Sequence, residues 1–240
     1  CGSRLALFEG AEAAAVKSLA SSTPSGGASQ GLNQPHRLEV HTKRGDVITS
    51  RAVVHCTNAY SSSLLPELRG KLVPVRNQVA VTAPLAREQE MLDIAVYARR
   101  GYVYWSPRAD GCLVLGGFRD VVPSKEEGTH DDGHLDPHVS SCLQDYLPMH
   151  FPSRFDGQRR GPCFEMEWAG ILGFMDDRFP LVGALPDTRD GRSGQYICAG
   201  FSGHGMTRAF SCAEGLARQM LQLPSGTAPL PTAFSPDGRI

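Results

Sequence analysis

Tyr196-Ile197-Cys198-Ala199-Gly200-Phe201-Ser202-Gly203-His204-Gly205-Met206 is the stretch on which the reading of this chain turns. Tyr196 to Gly200 reads as a buried strand. Glycines at 200, 203 and 205 then remove side chains where the chain turns into a helix beginning around Gly205. In that helix Met206, Ala209, Phe210, Ala213, Leu216, Ala217, Met220 and Leu221 recur every three or four residues and are expected to form one core-facing stripe, with Pro224 as its stop. Free N–H groups at the turn, with the positive end of the helix dipole, suit an anion or an electron-rich ring edge. A glycine-rich turn that only permits close packing accounts for the same residues, and both readings stay open here. The glycines do not follow the order G-x-G-x-x-G, so this is not the first loop of a dinucleotide fold.

Upstream, Leu5-Ala6-Leu7-Phe8 reads as a short buried strand. Glu9 to Leu19 is alanine-dense and fits either a helix or a strand continuing past a turn at Gly10; Ser21 to Gln34 has loop composition. Leu38 to Thr42, the turn Lys43 to Asp46 and Val47 to Ser50 make a hairpin. Ala52 to Cys56 reads as a buried strand, and Ser61 as the cap of a short helix that Pro66 helps to end. Val73 to Thr82 reads as a long strand. Tyr102 to Trp105 and Cys112 to Gly117 flank the turn Arg108-Ala109-Asp110-Gly111, the clearest hairpin signal in the chain. Asp136-Pro137 opens a helix with Val139, Leu143, Tyr146 and Leu147 at helical spacing; Trp168 to Ile171 reads as a Gly-rich approach to the final strand.

Bulk properties narrow the function classes. The 240 residues carry a net charge of −1 with no basic stripe, which argues against a nucleic-acid partner. No apolar run approaches the length of a membrane span. The seven cysteines are scattered and never spaced C-x-x-C, so free, buried thiols in a reducing, cytoplasmic compartment are expected rather than disulfides or a zinc ribbon. His130, His134 and His138 share a stretch with Asp131, Asp132 and Asp136, but Gly133 and Pro137 break the helix that would stack them. A solvated loop leading into the Asp136 cap is expected, and no metal.

Landmarks along the chain carry a resemblance. Ala199-Gly200-Phe201-Ser202-Gly203-His204-Gly205-Met206 resembles the carboxy-terminal signature of the D-amino-acid oxidase/sarcosine oxidase superfamily, and Val53-Val54-His55-Cys56-Thr57-Asn58-Ala59-Tyr60 its VV-x-ATNAY segment. Leu64-Leu65-Pro66, Pro74 to Val79, Trp168 to Ile171 and Asp177 to Gly183 follow in order. The branch resembled most is that of gamma-glutamylputrescine oxidoreductase. The resemblance implies an α/β fold in which an FAD-binding α/β domain, incomplete here, is interleaved with an antiparallel β-sheet substrate domain. It assigns residues 1–66 and 168–223 to the FAD domain, 67–167 to the substrate domain and 224–240 to a tail. It brings backbone near Ala13 to the adenine, Thr57, Asn58 and Ala59 to the middle of the cofactor, and Gly203, His204, Gly205 and Met206 to the flavin ring, whose reduced form carries negative charge.

The implied reaction is oxidation of a C–N bond in an amine or amino-acid-like small molecule, by hydride transfer to noncovalent FAD. No thiol occupies the position at which sarcosine oxidases attach flavin. Leu172 and Gly203 stand where the glycine-oxidase branch has its carboxylate-binding arginines, and Leu113 to Leu115 offers no lysine. No catalytic base is assigned. His204 is a candidate to orient substrate or flavin carbonyl, with backbone contacts its ordinary alternative. Tyr102, Tyr104 and Trp105 are candidates for an aromatic wall, with ordinary core packing as theirs. The family's amino-terminal strand, G-x-G-x-x-G loop and ribose-binding acid do not occur in these 240 residues. The chain is therefore expected to be a carboxy-terminal part that binds FAD poorly alone. The alternative is a non-catalytic fragment or subunit whose partner supplies the βαβ unit.

Overall fold

The computed structural model describes residues 5–19, 37–86, 93–155, 164–187, 191–224 and 229–240; the expected loop from Ser21 to Gln34 lies outside them. The chain divides into unit 1, Cys1–Val73 with Gly173–Ile240, and unit 2, Pro74–Leu172. Both junctions fall inside strands, several residues beyond the crossings at 66/67 and 167/168 expected from the resemblance.

Unit 1 holds two three-stranded sheets. In the first, β1 (Ala13–Leu19), β2 (Arg37–Thr42) and β3 (Val47–Ser50) run antiparallel in that order. Of the two readings of Glu9 to Leu19, the strand is the one formed. The β2–β3 turn is closed by Asp46 N–H donating to Thr42 Oγ1 at 3.0 Å, with Gly45 at φ 94°. Leu5 to Phe8, expected as a buried strand, is neither: Leu5 is 97% exposed, and no strand among the described residues pairs with the segment. Apolar composition marked it, but burial needs a neighbour.

The second sheet has the order β10 (Leu181–Ala184), β11 (Gln195–Ala199), β4 (Val53–His55), with β11 antiparallel to β10 and parallel to β4. β11 is buried along its whole length. Strand alternation sends Ile197 and Ala199 into a cluster with Leu65, Leu68, Leu72, Met175 and Leu181. Tyr196 and Cys198 enter another with Val182, Cys212 and Leu216. Parallel strands covered on both faces read as continuous apolar runs, which is why this one was legible. After β4, α1 (Ser61–Leu64) begins without a side-chain cap: Tyr60 takes the N-cap position, and Ser61 Oγ lies 3.0 Å from Thr57 Oγ1. Ser61 is therefore a buried first residue and not the expected cap.

α3 (Gly205–Met220) packs on β10 and β11, but through Cys212 and Leu216. Of the expected stripe, Leu216 and Met220 face this cluster, but the rest does not: Met206 is 101% and Phe210 84% exposed, and Ala209, Ala213, Ala217 and Leu221 are exposed too. Helical spacing groups residues on a face but does not say which face meets the sheet. The helix ends before Pro224. Gln222, at φ 55°, donates its N–H to the Gln219 carbonyl, and Leu223 donates to Arg218, which closes the helix end. The last residues belong to the same unit: Leu230 sits over Gly215, and Arg239 reaches Asp177 at 2.6 Å.

Unit 2 is built on a five-stranded sheet, β6 (Val96–Ala98), β7 (Val103–Pro107), β8 (Leu113–Gly117), β5 (Leu72–Thr82) and β9 (Phe164–Met175), in that spatial order. The β7–β8 hairpin turns at Asp110-Gly111 as read from the sequence, with Arg108 N–H donating to the Cys112 carbonyl. β9 is a twelve-residue strand where the sequence suggested only a Gly-rich approach. α2 (Pro137–His150) covers one face of the sheet and forms a core of Val103, Trp105, Leu115, Val139, Leu143 and Leu147. Asp136 caps it, Oδ1 accepting from His138 and Val139 N–H at 2.9 and 3.1 Å.

Candidate functional site

β11 delivers the chain to a turn in which Gly200, Ser202 and Gly203 all have left-handed backbone, at φ 74°, 52° and 81°. A Cβ on Gly200 would stand 2.7 Å from Met175 Cγ, so glycine is required there twice over. Asn58 Oδ1 accepts from Gly200 N–H at 2.9 Å and from Phe201 N–H at 3.4 Å. Ser202 is buried. Its N–H donates to the Gly173 carbonyl at 2.8 Å, and its Oγ accepts from Met175 N–H at 3.1 Å. Gly173 in turn lies where a Cβ would come within 2.9 Å of Ala59 N. Three segments far apart in sequence, around Asn58, Gly173 and Gly200, are thus joined: Gly173 to the turn by backbone, and Asn58 to it by its side-chain amide oxygen.

The turn leaves its far side open. His204 occupies the N-cap position of α3, yet no side chain caps the helix. The ring instead bonds Nδ1 to the Ser202 carbonyl at 2.9 Å. A carbonyl only accepts, so Nδ1 carries the hydrogen and the neutral ring keeps its lone pair on Nε2. Gly203, His204 and Met206 are exposed. Among the described residues no side chain caps the first-turn N–H groups, and the first turn itself holds no acidic residue. α2 differs: its start is closed by the Asp136 carboxylate, which would repel an anion.

The structure brings the Asn58–Ala59 segment and the glycine turn together. Ala59 is fully buried, and Thr57 bonds Ser61. Ala13 opens β1, half-buried and paired with Thr42. The three aromatic candidates separate. Trp105 points into the α2 core, edge-on to Phe151 at 6.3 Å, so it belongs to packing and not to a wall. Tyr102 carries the Arg119 guanidinium over its ring at 4.6 Å. Tyr104 lies on the opposite face of the sheet from Trp105, hydrogen-bonded to Asn77 at 3.1 Å. Ser202, Gly173 and Asn77 were not singled out in the sequence. Only tertiary contacts give them roles, and no periodicity marks them.

The stretch from His130 to His138 holds a local His134–Asp131 pair at 2.7 Å and the Asp136 cap. Among the described residues no group of three His, Cys, Asp or Glu is arranged to hold a metal ion. The described cysteines, Cys56, Cys112, Cys142, Cys198 and Cys212, are free thiols; Cys56 is exposed and Cys142 half-buried, so the expectation of burial holds for the other three. Burial, with smaller effects from Cys56 and Cys212, pushes the Cys198 thiol up to about 11, which keeps it an inert part of the core. Among the described residues no helix is long and apolar enough to cross a membrane.

Residues 5–219 match the family described as DAO, FAD dependent oxidoreductase. The chain belongs to this family. Glycine oxidase from Geobacillus kaustophilus is similar in fold, at TM-score 0.70 and 17% identity over 98% of this chain and 54% of that one. L-proline dehydrogenase from P.horikoshii is similar at TM-score 0.62 and 21% identity, over 87% and 52%. Iminodiacetate oxidase from Chelativorans sp. BNC1 is similar at TM-score 0.61 and 17% identity, over 92% and 52%. No curated protein sequence matches. At these identities the likeness concerns the fold, and the chain spans about half the length of these structures. The residues fit FAD at one end: an uncapped helix start beside exposed glycine backbone suits the electron-rich edge of a flavin ring. Among the described residues no second strand–glycine turn–helix unit offers a cradle for the diphosphate.

Proposed function

We propose that this chain is the carboxy-terminal part of an FAD-dependent oxidoreductase that oxidises a C–N bond of a small amine or amino-acid-like molecule, in the manner of the gamma-glutamylputrescine oxidoreductase branch. The observation that carries this reading is the uncapped start of α3, held in place by Asn58 through Gly200 and Phe201. FAD, when bound, supplies a two-electron acceptor. The chain's own residues bind and orient. Gly203, Gly205 and Met206 present N–H groups to the ring edge, the His204 N–H being held by the Phe201 carbonyl at 2.9 Å, and the helix dipole stabilises negative charge there. His204, fixed by Ser202, offers Nε2 beside that edge as an acceptor from a substrate N–H. Thr57 to Ala59 hold the turn from behind.

Titration of the purified chain with riboflavin and with FAD, read by flavin fluorescence, tests the seat. Because the described residues provide only the ring end, FAD is expected to bind weakly and within about threefold of riboflavin, a difference of less than about 0.7 kcal/mol. Stoichiometric, tight FAD would overturn that half-site. Amine-dependent bleaching of the flavin near 450 nm without oxygen, at saturating FAD, tests the reaction; no bleaching with any amine, in a sample completed by a family βαβ segment, would sink it.

A second reading has its own support. α3 exposes Met206 and Phe210, Leu221 is exposed just beyond its end, and among the described residues β4 is the edge strand of a parallel pair, with Val54 38% exposed. Parallel strands and apolar helix faces are ordinarily covered. A strand–helix unit of further polypeptide, in the same chain or in a partner, would cover both. On this reading the 240 residues alone are a non-catalytic subunit, and activity appears only on mixing with that segment.

A further inference from the structure

Residues 230–240 cross the β10 edge of the second sheet in unit 1. Leu230 and Phe234 pack into the cluster on one face of that sheet, with Tyr196, Cys198 and Leu216. Ile240 packs into the cluster on the other face, with Met175, Leu181 and Ile197. Between them Pro236 lies against Gly183 of β10, so closely that a Cβ on that glycine would stand 2.9 Å from Pro236 Cδ. Among the described residues β10 has a strand neighbour on one side alone, β11. The segment therefore straps an edge that backbone pairing leaves open.

Arg239 fastens the strap, its side chain only 15% exposed. One terminal nitrogen donates to Asp177 Oδ1 at 2.6 Å and to the Phe179 carbonyl at 2.8 Å. The other donates to the Pro180 carbonyl at 2.8 Å and to the Ala233 carbonyl at 2.9 Å. Lys71 donates to the Arg239 carbonyl at 3.1 Å. Of the four acceptors that the guanidinium meets, only Ala233 lies outside the connection from β9 to β10. Asp177 Oδ1 also accepts the Phe179 N–H at 3.0 Å, which closes that connection on itself. A planar guanidinium presents its N–H groups in fixed directions, and so suits acceptors spread over two segments; an ammonium has three donors on one atom.

The connection joins the two strands that hold the glycine turn. Just before it, Met175 N–H donates to Ser202 Oγ, and the Gly173 carbonyl accepts the Ser202 N–H. Just after it, β10 pairs with β11, Leu181 opposite Ala199, and Ala199 leads directly into Gly200. Ser202 in turn carries the His204 ring on its carbonyl. A grip on residues 177–180 therefore reaches the turn from both sides.

We propose that Arg239 is a positioning residue for the flavin-ring turn: it fixes the β9–β10 connection, and through it Ser202 and the orientation of His204. The role toward flavin rests on the FAD reading above; the coupling of Arg239 to Ser202 and His204 does not. Arg239→Ala tests both, with the Ser202 amide and the His204 ring followed by NMR and riboflavin binding by fluorescence, on the purified chain. Both NMR signals should move. Riboflavin should bind about tenfold more weakly, as the binding-competent population falls to about a tenth. Ethylguanidinium replaces the atoms that the substitution deletes. It should return both signals, and bring the affinity to within about threefold of the parent. Ethylammonium carries the same charge without the fork and should do neither. Unmoved signals in Arg239→Ala, or equal rescue by the two cations, or rescue by neither, overturns the assignment. If Arg239→Ala does not fold, Arg239→Lys keeps stem and charge but not the fork. The same signals should then move, with affinity about threefold weaker; parent-like signals in the lysine variant overturn the role. If the parent binds no riboflavin while the signals move and ethylguanidinium returns them, the flavin reading fails and the coupling stands. If parent and Arg239→Ala bind riboflavin alike, the flavin seat stands and the role of Arg239 fails.

Discussion

Asn58 Oδ1 accepts the Gly200 N–H at 2.9 Å, so a residue placed after β4 holds the turn that follows β11, 142 positions away. Gly200 is buried, and its N–H has no water to fall back on. Asn58→Leu should therefore cost the desolvation of an unpaired donor, about 1–3 kcal/mol, beyond any lost packing. Asn58 also has φ 42°, a conformation asparagine tolerates better than most residues. Asn58→Asp keeps both the acceptor and that tolerance, and should lose less. Urea midpoints of the two variants check this. Equal losses would mean the bond contributes little.

Gly200→Ala meets two obstacles at once. Left-handed backbone costs a residue with Cβ about 1–2 kcal/mol, and the new methyl stands 2.7 Å from Met175 Cγ. Met175 is flexible but buried against Leu72 and Ala199, so it can move only by disturbing that cluster. A loss at the upper end of that range or beyond is expected in thermal unfolding. Gly45→Ala is the control, since it shares a left-handed φ of 94° but has nothing within 4 Å of its Cβ. The difference between the two variants isolates the Met175 contact.

These cases show how far the sequence could be read. Where one short stretch contains the whole cause, the reading was right: Asp110-Gly111 makes its own hairpin turn, and Asp136-Pro137 its own helix start. Where the cause is a partner, it failed. Met206, Phe210 and Leu216 share helical spacing, but the sheet meets only Leu216 of the three, together with Cys212, which was not expected. β9 was missed because Gly170 and Gly173 look like loop, while Gly173 is a glycine so that Ala59 can approach. Within the candidate site, the glycine run was visible as a pattern. The hydrogen bonds that give it shape, from Asn58 and Ser202, have no local signature.

Asp136→Ala should destabilise unit 2 by about 1 kcal/mol, because it removes the acceptor for two N–H groups at the start of α2. Asp136→Asn retains that acceptor and should fall within a few tenths of the parent. The Asp136 backbone N–H, which donates to buried Gln78 at 2.6 Å, is untouched by either change. Hydrogen exchange at His138 and Val139 gives a site-resolved check. Protection lost at both amides in the alanine variant alone is the expected pattern.

His55 gives the pH dependence. The ring is buried at the end of β4 and bonded to Gln195 at 2.9 Å. Burial lowers its pKa, with the Arg192 charge acting the same way, against the raising effects of the Gln195 bond and of Glu67. A histidine whose folded value is depressed binds fewer protons folded than unfolded. Its contribution is thus fully present above the ordinary imidazole value of about 6.5, and is lost as pH falls below it toward the folded value. Stability of the chain should drop between pH 7 and pH 5 with a component that His55→Gln removes, since glutamine does not titrate. Urea unfolding at stepped pH, comparing parent and variant, measures that component as a difference in slope. Parallel curves over this range would show that His55 takes its proton as readily folded as unfolded.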